Sequence, residues 1–515
     1  MSTVRSGLNL HQRLHVSEQP NASAILHTPF EMLELEVQNP VAYPTLVPFD
    51  PISFTAEPYR SLTAAADENV ASRPSPGQTG YCSPLLVNAL LYWASQMYRA
   101  IDPKTDELAM RFSLEAESLW DKEFGNDNVV NIAAAQFLSL GFLGHGRNHK
   151  VLQYMGHASD MARRMNLFGS STNDETNTTL SIKEMTAEES RARMYAAWGV
   201  FNWITLMSLF YHQPGLKCPS RPPNLPIPGD DHSDDQTEFE TTSSRPLPPF
   251  MGSTFPHLCH FWRIVHEITV VYHTDGNPHF DDRTALRFAE YKFRELLAWS
   301  NGLPYTLLRG DDKPHHVQIL HLWFHAAVLE LFRPCVQTNA AAKRRLRTFT
   351  SNYSSPAAVC NASVGQLKRL ILNFRLHYKS STYTILWHTA MIYVANALLH
   401  DAKEEGWFFY FLLCVYGYER LRRSWRVTGA VAKGLLAMTL RNGDISSHMA
   451  RQILQDLERK KLSEMPEPIR AQFPVDLDLA LSDPKSATAE NLADKFEYTA
   501  MLGDYTHEFD SAQSR

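Results

Sequence analysis

The stretch Asn148-His149-Lys150-Val151-Leu152-Gln153-Tyr154-Met155-Gly156-His157-Ala158-Ser159-Asp160-Met161-Ala162-Arg163-Arg164-Met165-Asn166-Leu167-Phe168 decides the fold class. Its apolar residues Val151, Met155, Ala158, Ala162 and Met165 recur at steps of four and three, while Gln153, Asp160, Arg163 and Arg164 fall mainly on the other side. A helix repeats every ~3.6 residues, so this spacing gives one buried face and one wetted face. The same period extends in both directions, over residues 106–123, 129–143, 187–211, 256–273, 283–300, 315–333, 363–378, 383–400, 405–423, 428–441 and 446–461. No run of alternating β-branched residues bounded by turn pairs is found, so the expected fold class is all-α.

The ends and gaps of this helical region are marked by proline. Residues 1–80 are rich in Pro, Ser, Thr and Ala, with Pro40, Pro44, Pro48, Pro51 and Pro58 close together, and are expected to be largely irregular. Ser83-Pro84 then opens a helix, serine as cap and proline in the first turn. A Pro-rich and acidic excursion is expected over 218–252, and a polar, basic loop over 336–355 with Ser355-Pro356 as a helix start. The division is therefore 1–80 irregular, 81–461 one large multi-helix domain, and 462–515 a disordered acidic–aromatic tail. In that tail, segments such as Asp494-Lys495-Phe496-Glu497-Tyr498 are expected to keep aromatics exposed for a partner.

Composition narrows the class. The chain has 515 residues, a hydrophobic fraction of 44% and a formal charge of -6, enough to fill a large core and without the basic excess of a nucleic-acid-coating protein. Its six cysteines, Cys82, Cys218, Cys259, Cys335, Cys360 and Cys414, are scattered. None has the short spacing, about two to four residues, that presents two thiolates to one zinc ion. Such usage reads as a reduced, intracellular chain. Met1–Val16 lacks an apolar segment of the signal-peptide kind. Met194–Tyr211 has no charged residue, but Gly199, Asn202, Thr205 and Ser208 interrupt it, so a buried core helix is expected and no membrane partner.

Few residues suggest chemistry. Asp230-Asp231-His232-Ser233-Asp234 matches an aspartate-rich pattern that holds magnesium in helical synthases, yet it sits in a Pro-flanked loop, where a solvated role is expected. Gln318, His321 and His325 form a thin polar stripe on an otherwise apolar helix. Two readings apply to it: interhelical hydrogen bonding, or polar groups orienting a small molecule in an apolar groove. Lys343-Arg344-Arg345-Leu346-Arg347 reads as a nuclear-import run or as a solvated charge patch. Arg420-Leu421-Arg422-Arg423 ends a helix, where cations favour the macrodipole, and His266 and His388 read as structural. No catalytic residue, metal ligand or cofactor is expected.

Several segments, in order, resemble the middle-homology domain of fungal zinc-binuclear-cluster transcription factors. They are Tyr81-Cys82-Ser83-Pro84-Leu85-Leu86-Val87-Asn88-Ala89, Tyr154 through Leu167, and Arg191 through Trp198-Gly199-Val200-Phe201-Asn202-Trp203 with the Pro-rich stretch after it. Further on come His321-Leu322-Trp323-Phe324-His325 through Leu331-Phe332-Arg333-Pro334, Phe409 through Cys414, and Leu435 through Gly443. Within the family, the nitrogen-assimilation regulators are the subgroup most similar. The resemblance covers roughly residues 80–460. Ile204 replaces the family's usual aspartate, and His212-Gln213-Pro214 stands where Gly-Arg-Pro is usual.

The resemblance implies a nuclear transcription regulator with an all-α regulatory domain, which responds to a small-molecule inducer or to a homo- or heterodimeric partner bearing a zinc cluster. Family members bind two zinc ions through six cysteines, and residues 1–80 contain no cysteine, so direct DNA binding by this chain is not expected. Two arrangements remain open: a cluster encoded upstream, or pairing with cluster-bearing relatives. The alternatives from other classes are a helical, magnesium-dependent enzyme of small-molecule biosynthesis and a helical scaffold with no ligand.

Overall fold

Helix starts are set locally. Ser83 Oγ accepts a hydrogen bond from Leu86 N at 3.1 Å and Pro84 occupies the first turn, opening α1, Pro84–Tyr98. Helix α2 spans Thr105–Glu123. Asn128 caps α3, Val129–His145, through Asn131 N at 2.7 Å. Helix α3 ends on left-handed Gly146 (φ 71°), whose amide and that of Arg147 return to Leu143 and Phe142 carbonyls. Then come α4, Asn148–Arg164, and α5, Ala187–Phe210, which starts in a reciprocal Thr186–Glu189 capping box. The computed structural model describes residues 83–169, 185–211, 216–230, 254–273, 282–310, 313–336, 342–347, 349, 354–400, 403–458 and 470–497.

The later helices are α6, Thr254–His273; α7, Asp282–Asn301; α8, His315–Val336; and α9, Pro356–His377, capped by Ser355. They are followed by α10, His388–His400; α11, Trp407–Leu421; α12, Val427–Asn442; and α13, Ser447–Glu458. A short turn of helix at Leu479–Ser482 and a helical stretch over 489–497 complete the described residues. Among those residues only two isolated bridges occur, Arg147–Arg470 and Pro474–Thr488, and no strand. The fold is all-α.

Helix α3 lies at the centre. Val129 through Gly144 are all buried, so this helix has no wet face and must be surrounded. Helices α1, α4, α5 and α12 pack around it. Close approach needs glycine at two points: a Cβ on Gly141 would strike the Tyr92 ring, and one on Gly144 the Trp425 ring. One continuous cluster of buried side chains then runs from Leu85 to Phe496. Helix α5 is buried at every position from Ala196 to Phe210, and Trp203 Nε1 donates to Ser139 Oγ of α3 at 3.0 Å. Helix α8 is long and apolar enough to cross a membrane by length and composition, yet 78% of its most apolar window is buried inside the body.

Two segments differ from the sequence reading. Residues 216–230, which include the start of the Pro-rich excursion, pack against the body. Trp198 Nε1 donates to the Leu225 carbonyl at 3.0 Å, and His266 Nε2 to the Pro219 carbonyl at 2.6 Å. Ile227 joins Trp198, Phe201, Phe255 and Cys259 in a small apolar cluster between α5 and α6. Prolines lack an amide donor but keep their carbonyls, and donors on these helices satisfy this segment. Residues 231–253 lie outside the described residues.

The other difference is at the C-terminus, where the body extends past the expected boundary at 461. Residues 470–497 form a strap across α3, α10 and α12. Arg470 N donates to the Gly146 carbonyl at 2.7 Å, and the Arg470 carbonyl accepts from Asn148 N. Phe473 sits edge-on to Tyr211 and His388, and Phe496 is buried rather than exposed. Pro474 precludes a helix there, but Val475 N still pairs with the Ala487 carbonyl at 2.8 Å. Residues 1–82, 459–469 and 498–515, including most of the acidic–aromatic stretch, lie outside the described residues.

The two glycine environments give a paired test. Gly144→Ala should lower stability to urea by ~1–3 kcal/mol through overpacking against Trp425. Gly156→Ala, where a Cβ meets open space within α4, should raise it by ~0.5–1 kcal/mol. Equal stability of Gly144→Ala and the parent would contradict the close approach.

Candidate functional site

The polar stripe of α8 lies beneath residues 302–310 and 313–314 of the link between α7 and α8. Tyr305–Leu307 makes one turn of 3₁₀ helix and buries Leu307. That turn aims the Leu307 carbonyl at His321 Nε2, 3.0 Å away. Gln318 Nε2 donates to the Gly310 carbonyl at 2.6 Å and to the Tyr378 hydroxyl at 3.1 Å. Tyr378 in turn donates to the Lys313 carbonyl, and Arg309 reaches Gln366 on α9. His325 Nδ1 stands 3.5 Å from Ser363 Oγ on α9, at the limit of a hydrogen bond. The structure thus brings Gln318, His321 and His325 together, with polar partners from the α7–α8 link and from α9 and its C-cap Tyr378. Gln318 Oε1 is buried and has no hydrogen-bond partner among the described residues.

Burial governs the charge state of this region. It pushes the His325 imidazole down to about 3, with the neighbouring His321 and Arg309 acting in the same direction. Burial also lowers His321, against the bond to Leu307. His315 and His316, at the start of the same helix, fall to about 3 and about 4 for the same reason. These imidazoles are neutral near pH 7.

The basic run is placed differently. Leu346 is buried and anchors it, with Leu346 N donating to the Ser354 carbonyl at 2.9 Å. Lys343, Arg345 and Arg347 are exposed around that anchor, and Arg344 is half-buried. Asp230 is engaged by His260 Nε2 at 2.8 Å, while Asp231 and Asp234 lie outside the described residues. Among the described residues, no three His, Cys, Asp or Glu side chains converge as a metal site.

Two polar clusters escaped the sequence reading. On α8, Arg333 pairs with Glu330 at 2.5 Å and lies over the Tyr393 ring, whose hydroxyl donates to Glu330. Arg333 precedes Pro334, so the Leu331-Phe332-Arg333-Pro334 motif encodes a buried ion pair on a proline-bearing helix end. In the strap, Asp476 is fully buried and bonded by Arg441 at 2.6 Å, with His400 Nε2 at 3.6 Å. Burial alone would raise the Asp476 carboxyl; bonds from His400, the Leu479 amide and Arg441 outweigh it and hold it at about 2. The same contact raises His400. Asn396 clamps the strap from α10, donating to the Val475 carbonyl at 2.8 Å and accepting from Leu477 N at 2.9 Å. The apolar residues Phe473, Val475 and Leu477 were the available signal that this segment is buried.

Comparison with known proteins bears on what this body is for. Residues 54–289 match a family model described as the fungal specific transcription factor domain. The chain is similar to the nitrogen assimilation transcription factor nit-4 of Neurospora crassa, with 22% identity over 327 residues. That alignment covers 59% of this chain and 28% of the relative, so the chain spans little more than a quarter of that protein's length. No solved structure matches.

The buried histidines predict a pH dependence with a defined sign. Their folded-state values lie below the ordinary ~6.5, so the unfolded chain binds more protons as pH falls. Their contribution to stability is therefore complete above about pH 6.5 and is lost as pH falls toward about 3. His325→Gln should remove one such proton, flattening the stability–pH slope by up to ~1.4 kcal/mol per pH unit between about pH 6 and 4. Urea unfolding at a series of pH values measures it, and an unchanged slope would place His325 in water.

Proposed function

We propose, for a chain that carries a fungal-specific transcription factor domain, that the helical body of this transcription regulator receives a signal and relays it to a DNA-bound assembly. The signal is a small-molecule inducer or a protein partner. DNA contact comes from a zinc cluster, either encoded upstream of these residues or carried by a protein with which the chain pairs. The chain acts in the nucleus, and the exposed cations Lys343, Arg345 and Arg347 serve as its import signal.

One observation carries the reading. The segments that resemble the family, from Tyr154–Leu167 through Trp198–Trp203 to His321–Pro334, contribute to a single core that continues to Phe496. A body connected in this way passes a change at one face to another, because packed interiors rearrange between discrete states rather than deform gradually. His321 and Gln318, with their neutral or uncharged side chains bonded to backbone carbonyls, support a structural rather than a catalytic role for the stripe.

Fusing the full chain to a foreign DNA-binding domain tests relay, and a gel-shift with the purified chain tests DNA contact. The expected result is a change in reporter output with no sequence-specific shift by the chain alone. A fusion no different from the foreign domain by itself would sink the relay, and a specific shift would sink the division of labour. Replacing Lys343, Arg345 and Arg347 by alanine should move a fluorescent fusion out of the nucleus; retained nuclear signal would reduce the run to a charge patch.

A further inference from the structure

Between α12, the start of α13 and the helical stretch 489–497 lies a cleft of about 720 Å³. Small-molecule sites fall at about 300–1,000 Å³, so an organic ligand fits. Leu440, Ile445, Leu492 and Phe496 give it apolar walls, with Ala437 at its side. A polar end is built beside them. Arg441 lines the cleft, bonds Asp476 through one terminal nitrogen at 2.6 Å, and keeps 45% of its side chain exposed. The buried carboxylate engages one terminal nitrogen of a group that carries five donors, and a guanidinium grips a carboxylate best through two parallel bonds.

The surrounding charge agrees. Ser446 caps α13 by accepting from Met449 N at 3.2 Å, and Ser447 begins the helix, so its amide end and positive dipole face the cleft. Lys495 stands on the strap side, and Asp494, exposed, is the acidic group among the lining residues. We propose that this cleft binds a small amphipathic monocarboxylate, with its carboxylate on Arg441 and its apolar body against Leu440, Ile445, Leu492 and Phe496. This names the inducer class and its site within the sensing reading above, and rests on that reading for its biological role alone.

The placement also supplies a means of response. One wall belongs to α12 and α13, the other to the strap, so a ligand touching both fastens the strap to the body. Ligand that binds only the docked arrangement raises its population by mass action.

The test uses the full chain with decanoate below its micelle concentration, and decanol and decylamine as controls. Calorimetry should give saturable binding of decanoate and at least ~10-fold weaker binding of decanol, the difference made by a charge-assisted bond. Hydrogen exchange should slow in residues 440–447 and 489–497. Arg441→Met should weaken decanoate at least ~10-fold, and Ala437→Trp, which fills the cleft and leaves the Asp476 pair intact, should abolish binding. Should Arg441→Met fail to fold, Ala437→Trp and Lys495→Glu decide the matter, the latter by weakening binding.

Absence of saturable binding, equal affinity for decanol, unchanged binding by Ala437→Trp, or protection confined to other segments would each overturn the site. The reporter measurement is independent of these. A chain that regulates the reporter and ignores decanoate loses this site and keeps its regulatory role; one that binds decanoate and fails as a fusion does the reverse.

Discussion

A helix with no polar face cannot end a structure; it must be enclosed. Helix α3 is buried from Val129 to Gly144, and that one constraint organises the rest of the body. It draws α1 and α12 together although they are more than three hundred residues apart in sequence. Tyr92 and Trp425 meet it over the bare faces of Gly141 and Gly144, so enclosure depends on close backbone approach as well as on apolar area. The large aromatic side chains Trp203, Trp262, Trp323 and Trp387 fill the interior outward from there. Interiors of this density tolerate few changes of volume.

Enclosing so much chain creates a second demand, the satisfaction of buried polar groups. The solutions are varied. Arg333 and Glu330 neutralise each other beneath Tyr393, His266 is bonded to a proline-segment carbonyl, and Asp476 collects Arg441 and His400. Breaking such a pair by removing one member leaves an uncompensated charge, a cost of ~3–5 kcal/mol where both partners are buried. The Arg441–Asp476 pair is exposed on the arginine side, so solvent screens it and its worth is smaller.

Much of the architecture was legible in the sequence because helices announce themselves locally. The steps of four and three in Val151, Met155, Ala158 and Ala162, and the Ser83-Pro84 and Ser355-Pro356 starts, need no knowledge of distant residues. What could not be read was where irregular chain lies. Proline in 216–230 and at Pro474 signalled non-helical backbone, but not whether that backbone is wet, and the helical turn at Leu479–Ser482 and the helical stretch over 489–497 were not anticipated. Burial there depends on donors far away: Trp198 and His266 for the first segment, Asn396 for the second. The stripe on α8 was visible as polar positions on an apolar helix. Some of its partners come from residues 305–310, whose single turn of 3₁₀ helix has no strong periodicity to reveal it.

The strap changes what the stretch after α13 encodes. A premature stop shortly after α13 would remove Phe473, Val475, Leu477 and Phe496 from the interior and leave Asn396 and Arg441 facing solvent. Such an allele would behave as a folding lesion, with its protein lost to chaperones and proteases, rather than as a trimmed regulator that has merely shed an effector tail. Sequence variation near residues 473–496 is thus expected to be constrained by packing, in the manner of the helices around residue 140.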